Sequence, residues 1–449
     1  MTMMWETDQR ERAVLVGLAP STRRRSEVEG HLDELARLVD TAGGIEVARM
    51  VQERMAVDPA TVVGAGFAKR IGEVCRDEGA RLVVFDEDLT GSQMRNLEEL
   101  VPDDVKVVDR AGVILDIFAA RARTREARTQ VELAQLTYLL PRLTRRWQHL
   151  SRQAGGIGTR GVGETQLEID RRLISRRISR LRKDLKAIES SRRRRRSKRS
   201  FAPTVALVGY TNAGKSSLFH RLTQADVGVE DRLFATLDPR ARKVALGEDV
   251  SAVLTDTVGF IRKLPHHLVA PFRSTLEETA EADLVVHVVD ASHPSWEDHL
   301  RVGEEVLSDL GVEPAKVVVA LNKMDLLDGR LSPGTAGARG DVQISALTGE
   351  GLPELRSLLR GLLLAAPDVI VLRIPLAEAE LVERALSLPY RLARRFSKDT
   401  LSVAVRVTAE RLEETRLMPF CVASWGPAPA GAGRRPPGSQ GRGEEHADL

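Results

Sequence analysis

The chain has 449 residues, which leaves room for about three domains. Its residues are 42% hydrophobic and 29% charged, a composition typical of a folded globular protein, and the formal net charge is +3. Its two cysteines, Cys75 and Cys421, lie far apart, which argues against a disulfide framework or a cysteine-bound metal. The sequence has no run of membrane-spanning length and no adequate signal pattern, so we expect a cytoplasmic protein in a reducing compartment.

The segments from residue 10 to about residue 117 alternate between strand-like and helix-like patterns. This alternation predicts an N-terminal α/β domain, residues 1–117, with a largely parallel sheet. The turn Gly64-Ala65-Gly66 lacks the Lys-Ser ending of a phosphate loop, so we assign this domain no nucleotide site. Strands are expected at 14–18, 46–53, 81–86 and 105–109, and helices at 26–40, 68–77 and 91–100.

From about residue 118 the hydrophobic period becomes that of a helix. Residues 118–200 contain two apolar series separated by residues 155–163, which are too rich in glycine to be helical. This predicts an antiparallel helical hairpin with a Gly-rich tip and an Arg-rich linker, and Pro141 predicts a kink or break near Leu140. The first series is Leu133, Leu136, Leu140, Leu143, Trp147 and Leu150, and the second is Leu167, Ile174, Ile178, Leu181, Leu185 and Ile188.

The charge of the chain is concentrated in the same region. Residues 118–200 carry 24 Lys and Arg against 7 Asp and Glu, so the remaining chain is acidic. Such a block is a candidate for binding a polyanion, and its length suits RNA better than a small acidic ligand. The alternative is a solvated helical face, and the run from Ser191 to Ser200 is of a kind that is usually disordered or solvated.

A phosphate-binding loop follows the apolar run 205–208. Strand, Gly-rich loop and helix occur in the order that lets main-chain N–H groups and a helix N-terminus face phosphate oxygens. In the pattern G-x-x-x-x-G-K-S, the lysine reaches the β- and γ-phosphates and the serine hydroxyl can ligate Mg²⁺. A chance Gly-rich turn is the alternative, but the full pattern in this context predicts a nucleoside triphosphate site. Its residues are Gly209, Tyr210, Thr211, Asn212, Ala213, Gly214, Lys215 and Ser216.

The base is expected to be recognised downstream, by Asn322-Lys323-Met324-Asp325 after the apolar run 317–321. The two oxygens of the Asp325 carboxylate can accept both N–H donors of guanine's Watson–Crick edge, where adenine presents an acceptor. After a further short strand at 342–344 come Ser345, Ala346 and Leu347. In this order the segments resemble the signature set of a translation-factor-type GTPase, which implies that the base is guanine.

Two segments between the phosphate loop and the base motif complete the expected switch. Asp256 closes the strand 252–254, where it can hold Mg²⁺ through water as a Walker-B Asp does. Thr236 is the expected second hydroxyl ligand of Mg²⁺ beside Ser216. Phe260 stands where a water-positioning Gln is otherwise found, so we expect slow intrinsic hydrolysis, with another group completing the site. The segments are Phe234-Ala235-Thr236-Leu237-Asp238 and Asp256-Thr257-Val258-Gly259.

The Gly-rich segment from Gly155 to Glu168, followed by a basic helix and the phosphate loop, resembles the HflX family of ribosome-associated GTPases, as does the segment from Asp256 to Ile261. The likeness extends to about residue 365. It implies a factor that binds the large (50S) ribosomal subunit, with the Gly-rich tip directed into rRNA near the peptidyl-transferase centre. It also implies splitting or rescue of stalled or hibernating ribosomes under stress. The residues expected to contact RNA are Gly156, Thr159, Arg160, Arg171, Arg172 and Arg176.

The phosphate loop and the base motif place a P-loop (Ras-like) GTPase domain at residues 201–366, with one antiparallel strand pair at 243–246 and 252–254. A small C-terminal α/β segment, 367–415, and a disordered tail, 416–449, are expected to follow. His266, His267 and His287 have no metal-ligand spacing and are interpreted as structural or surface residues.

Two alternative functions remain open for what we expect to be a monomer. One is a nucleotide-gated ribosome-binding or hibernation module in which hydrolysis is only a timer. The other is an RNA-remodelling NTPase with additional ATP use, against which the N-K-M-D segment favours guanine.

Overall fold

The computed structural model describes residues 10–20, 25–143, 166–197, 203–224, 233–234, 240–247, 250–262, 279–327, 342–388, 391–407 and 409–422. The N-terminal sheet is parallel throughout, with strand order β2-β1-β3-β4, as expected. Its elements are β1 (Glu11–Pro20), α1 (Arg25–Thr41), β2 (Gly44–Arg54), α2 (Ala65–Asp77), β3 (Leu82–Phe85), α3 (Gly91–Glu98) and β4 (Lys106–Asp109).

The central strand β1 is buried on both faces, which explains its nearly continuous apolar sequence. Ala13 and Leu15 belong to the core on one side of the sheet, and Val14 and Val16 belong to the core on the other. This alternation follows the two-residue period of a strand. The sheet is therefore the middle layer of a three-layer domain.

Two helices connect this domain to the basic region. α4 (Arg110–Arg121) begins at Asp109, whose carboxylate accepts the amide N–H of Gly112 at 2.9 Å. α5 (Arg125–Leu139) packs with α4 in the core that contains Ala13 and Leu15 of β1, and it ends in a 3₁₀ turn, Leu140–Arg142. Pro141 lies in that turn, so the predicted break near Leu140 is confirmed.

The long basic helix α6 (Gln166–Ser197) packs along α5. Its contact is apolar and uses Leu133 of α5 with Ile178, Leu181 and Leu185 of α6, which are members of the two predicted seams. The helix continues through the arginine run after Ser191 as far as Ser197, so the backbone of residues 191–197 is helical and not disordered, while the solvated alternative for this run stays a prediction. Residues 144–165, with Trp147, Leu150 and the Gly-rich segment, lie outside the described residues.

The second sheet has six strands in the order β10-β9-β8-β5-β7-β6. Only β6 and β7 pair antiparallel, as predicted, so the phosphate loop lies at the carboxyl end of a parallel array. The elements are β5 (Thr204–Gly209), α7 (Lys215–Thr223), β6 (Arg240–Ala245), β7 (Ser251–Asp256), β8 (Leu284–Asp290), α8 (Trp296–Asp309), β9 (Val317–Asn322), β10 (Val342–Gln343) and α9 (Leu352–Leu364).

A third, antiparallel sheet follows, in the order β12-β13-β11-β14. Its β14 pairs with β11 and lies within the range expected to be a disordered tail, so that expectation was wrong up to residue 422. Residues 423–449 lie outside the described residues. The elements are β11 (Ile370–Pro375), α10 (Ala379–Ser387), β12 (Arg391–Phe396), β13 (Thr400–Val405), α11 (Ala409–Glu414) and β14 (Cys421–Val422).

His287 lies in the middle of β8 and is fully buried. Among the described residues neither of its ring nitrogens has a hydrogen-bond partner, and its ring packs directly against Gly303 of α8. Burial lowers the pKa of His287 to about 4, because the imidazolium would lose its hydration, and the nearby Lys215 ammonium acts in the same direction. The interpretation of His287 as a structural residue agrees with this environment.

Acidification should therefore destabilise the protein through His287. Because its folded-state pKa lies below the ordinary value of 6.5, the unfolded state binds the proton more tightly, and stability is lost as the pH falls from about 6.5 towards 4. The loss from this group is about 2 kcal/mol at pH 5, at about 1.4 kcal/mol per pH unit. Urea unfolding at pH 7 and pH 5 should show His287→Leu losing about 2 kcal/mol less than the wild type; equal losses would contradict the assignment.

Candidate nucleotide-binding site

The phosphate loop is held against the ends of two neighbouring strands by close backbone contacts. A Cβ at Gly209 would lie 2.1 Å from the carbonyl oxygen of Val288, and one at Gly214 would lie 2.2 Å from Nδ2 of Asn322. Gly214 also has a φ of 91°, in the left-handed region. Both positions therefore require glycine, and the loop enters α7 at Lys215 in the way that the sequence predicted.

Lys215 is buried, and its Nζ donates to the carbonyl oxygens of Gly209 at 3.0 Å and Tyr210 at 2.8 Å. Burial lowers the pKa of Lys215 to about 8, and the charge of Asp256 only partly opposes this shift. An ammonium that pays this desolvation cost is a strong binding group for an anion. Phosphate oxygens would bring negative charge to Nζ, whose hydrogen-bond acceptors in the protein are neutral carbonyl oxygens.

The residues expected to hold Mg²⁺ meet at the start of α7. The Ser216 hydroxyl donates to Oδ2 of Asp256 at 3.0 Å, and Asp256 is fully buried at the end of β7. A hydroxyl and a carboxylate are the hard oxygen ligands that Mg²⁺ prefers, so the pair fits the ion. Within the described ranges there is no separate cluster of His, Cys, Asp or Glu suited to a metal. Thr236, with Ala235, Leu237 and Asp238, lies outside them.

Asn322 joins the phosphate loop to the loops that were predicted to recognise the base. Its side-chain amide donates to the carbonyl oxygen of Ala213 at 2.8 Å, and its Oδ1 accepts the amide N–H of Ala346 at 2.9 Å. In the same loops the Ser345 hydroxyl donates to Oδ1 of Asp325 at 2.5 Å. The structure thus brings together the predicted phosphate and guanine segments, although their sequences lie more than a hundred residues apart.

Lys323 is oriented by a residue that the sequence analysis did not single out. Its Nζ lies 2.7 Å from Oδ2 of Asp290, which closes β8 beside β9. The available signal was the position of Asp290 at the carboxyl end of a buried strand, where sites in parallel sheets gather. Lys323 itself has a φ of 65°, so the turn into Met324 and Asp325 is tight.

The segment after β7 pairs with the phosphate loop through its backbone. The Phe260 amide donates to the Gly209 carbonyl at 2.8 Å, and the Thr211 amide donates to the Phe260 carbonyl at 2.7 Å. A Cβ at Gly259 would lie 2.9 Å from Nζ of Lys215, so the chain passes directly over the lysine. The Phe260 side chain lies in an apolar cluster with Tyr210, so it supplies no polar group for a water molecule.

Several predicted site residues use their side chains elsewhere. Thr257 donates its hydroxyl to the Leu207 carbonyl at 2.7 Å, and Leu347 is 74% exposed. Phe234 and Val258 belong to the core that contains α1 and α4 of the N-terminal domain. The Tyr210 hydroxyl donates to Oε1 of Glu34 at 2.6 Å, a contact between residues 176 positions apart that no local pattern announces.

The residues expected to contact RNA are only partly described. Arg171, Arg172 and Arg176 are exposed on α6, whereas Gly156, Thr159 and Arg160 lie outside the described residues. The neighbouring Arg177 donates from two of its side-chain nitrogens, Nε and Nη2, to the Glu132 carboxylate, at 2.6 and 2.8 Å. None of the helices in the described part of the chain is both long enough and apolar enough to span a membrane.

Comparison with known proteins accounts for three consecutive parts of the chain. Residues 29–119 match the GTP-binding GTPase N-terminal family, residues 121–199 the GTP-binding GTPase Middle Region, and residues 204–323 the 50S ribosome-binding GTPase family. The chain is 42% identical over 425 residues to the GTPase HflX of Caldanaerobacter subterraneus subsp. tengcongensis, covering 93% of this chain and 97% of the relative. With the GTPase HflX of Escherichia coli strain K12 it shares 41% identity over 415 residues, 91% and 96% of the two chains.

Among solved structures, a GTP-binding protein from Sulfolobus solfataricus in complex with GDP is 24% identical, covers 78% of this chain and 98% of that chain, and has a TM-score of 0.42. That likeness is too loose to bear on the site.

Gly214→Ala should abolish the phosphate loop's contact with Asn322 and weaken GDP and GTP binding at least tenfold, because the new Cβ would occupy the position of Nδ2. Gly43→Ala is the matched control, since Gly43 has nearly the same φ, 94°, but nothing within 4 Å of an added Cβ. Both variants carry the backbone cost of about 1 kcal/mol for a left-handed residue. Calorimetric titration would measure the affinity of each variant for GDP and GTP. Equal affinities in the two variants would contradict the assignment.

Proposed function

This chain belongs to the HflX GTPase family and is a GTPase, and from that premise we propose that its nucleotide state controls its binding to the large (50S) ribosomal subunit. The observation that supports this most directly is that the long basic helix α6 ends a few residues before β5, the strand that leads into the proposed nucleotide site. The exposed arginines of α6 suit the phosphates of rRNA.

In the proposed site, the nucleotide is bound by residues from four segments. The main-chain amides from Tyr210 to Ser216 and the Lys215 ammonium bind the phosphates, and Asp325 accepts from guanine. Ser216 and Thr236 would ligate Mg²⁺, and Asp256, whose carboxylate accepts the Ser216 hydroxyl, would hold the ion through water. When bound, Mg²⁺ would neutralise charge that develops on the β- and γ-phosphates.

Hydrolysis by the isolated protein is proposed to be slow. Phe260 replaces a residue that would orient the attacking water, and its ring is buried in an apolar cluster. Another group must therefore complete the site, and the ribosome is the proposed source. We place the protein in the cytoplasm as a monomer that splits or rescues stalled or hibernating ribosomes under stress, with its Gly-rich tip directed into rRNA.

Replacing Arg171 and Arg176 together by Gln should weaken binding to 50S subunits and make it less sensitive to salt. Each lost phosphate contact lowers the slope of log K against log salt by about 0.7 to 0.9. Sedimentation across a salt series would measure this slope for protein loaded with GDP or a non-hydrolysable GTP analogue. Single-turnover GTP hydrolysis should be faster with subunits than without them.

The matched control replaces Arg76 and Arg95, exposed arginines of α2 and α3, by Gln. It removes the same charge from the N-terminal domain and should leave the salt slope unchanged. Equal slopes for all three proteins, or equal binding with GDP, the GTP analogue and no nucleotide, would overturn the proposal.

Asp325→Asn should move nucleotide preference from guanine to xanthine, because the new amide can donate to the 2-carbonyl of xanthine, whereas the carboxylate accepts from guanine. The Ser345 hydroxyl can still donate to the remaining oxygen, so the loop keeps its support. Competition binding should show GTP weakened at least tenfold and XTP strengthened. Asp309→Asn, an exposed change at the end of α8, should leave both affinities unaltered; an unchanged preference in Asp325→Asn would refute this base-recognition scheme.

A further inference from the structure

The N-terminal domain contacts Phe234 and Val258, which belong to the two segments of the expected switch in the GTPase domain. The ring of Phe118 in α4 packs edge-on against Phe234, with centroids 4.7 Å apart. Val258 and Ile261, on either side of Gly259 and Phe260, belong to the same buried core as α1 and α4. The segments that must rearrange around a γ-phosphate are therefore packed against another domain.

A chain of polar contacts crosses the same joint and ends at the phosphate loop. Arg110 is 1% exposed and forms ion pairs with Asp86 at 2.7 Å and with Glu34 at 2.6 Å. The other oxygen of Glu34 accepts the Tyr210 hydroxyl at 2.6 Å. That hydroxyl in turn accepts the main-chain N–H of Arg262 at 2.8 Å.

In the N-terminal domain, this series of polar contacts begins at the carboxyl edge of the parallel sheet. Asp86 follows β3, which is the neighbour of β1 on the side away from β2. From β1 the chain adds β2 on one side and β3 on the other, so the strand order reverses between β1 and β3. Open α/β sheets usually bind a ligand at such a point. In this molecule Arg110 and Glu34 connect Asp86, at that edge, to Tyr210 of the phosphate loop.

The hydroxyl, the ring and the main-chain carbonyl of Tyr210 all make contacts. Burial, and then the negative charge of Glu34, raise the pKa of its hydroxyl far above the ordinary value, so it remains a donor to Glu34. Its ring stacks on His299 with centroids 3.9 Å apart, and its carbonyl oxygen accepts Nζ of Lys215 at 2.8 Å. The position of Tyr210 therefore affects the residue that would bind the phosphates.

We propose that Glu34 is a positioning residue of the nucleotide site, which acts through Tyr210, and that nucleotide binding and docking of the N-terminal domain are coupled. The inference rests on the proposed nucleotide site. Coupling of this kind is reciprocal: if Glu34 strengthens nucleotide binding, nucleotide must strengthen the docking of α1 by the same factor.

The first test measures release of a fluorescent GDP from Tyr210→Phe, which keeps the stacked ring and removes only the hydroxyl. Release should be about tenfold faster, the factor expected when a hydrogen bond to a charged group is lost. Tyr138→Phe is the matched control, since the buried Tyr138 hydroxyl donates to Asp109 at 2.8 Å within the N-terminal domain. Both variants should melt at a lower temperature; equal release rates in the two would overturn the proposal.

The second test adds Glu34→Gln. If Glu34 acts through the tyrosine hydroxyl, this change should speed release several-fold in the wild type and by less than twofold in Tyr210→Phe. Multiplicative effects of the two changes would show that Glu34 acts by another route, and would overturn the proposal.

The third test measures docking itself, by hydrogen exchange in α1 of the full chain. GDP and a non-hydrolysable GTP analogue should slow the exchange of residues 28–39, and the slowing should be smaller in Tyr210→Phe. Exchange that is indifferent to nucleotide would sink the coupling. All three measurements use the isolated protein, so failure to bind ribosomal subunits in sedimentation bears on the proposed function alone.

Discussion

One carboxamide joins the parts of the proposed nucleotide site. Asn322 donates to the phosphate loop and accepts from the loop that carries Ser345 and Ala346, so its side chain bridges these two segments. Gly214 permits this contact because any side chain there would displace Asn322. The sheet below sets the spacing, since β5, β8 and β9 are adjacent parallel strands whose carboxyl ends share one edge.

The sequence was most informative where function demands a particular residue at a fixed spacing. The glycines, Lys215 and Ser216 follow a pattern whose chemistry tolerates little change, and the alternation of strands and helices predicted the parallel sheets. The break at Pro141 followed from the geometry of proline. The helical backbone of residues 191–197 was not predicted, because their composition resembles that of solvated linkers whereas arginine is also a good helix former.

The contacts between domains were beyond the reach of sequence patterns. Tyr210 and Glu34 are 176 residues apart, and nothing in either local sequence indicates the other. A buried arginine such as Arg110 is expensive to desolvate, and its two carboxylate partners largely offset that cost rather than add stability. Such a group does discriminate between arrangements, since an altered approach of the two domains would leave Glu34 with one partner fewer.

The length of α6 has a mechanical consequence. Its 32 residues extend about 48 Å at 1.5 Å per residue, and its Ser197 end lies close in sequence to β5. Tilting so long and stiff a rod by about 10° at that base sweeps its Gln166 end through about 8 Å, roughly one and a half helical turns. Because α6 packs on α5 through an apolar seam, α5 must share any such movement or the seam must break.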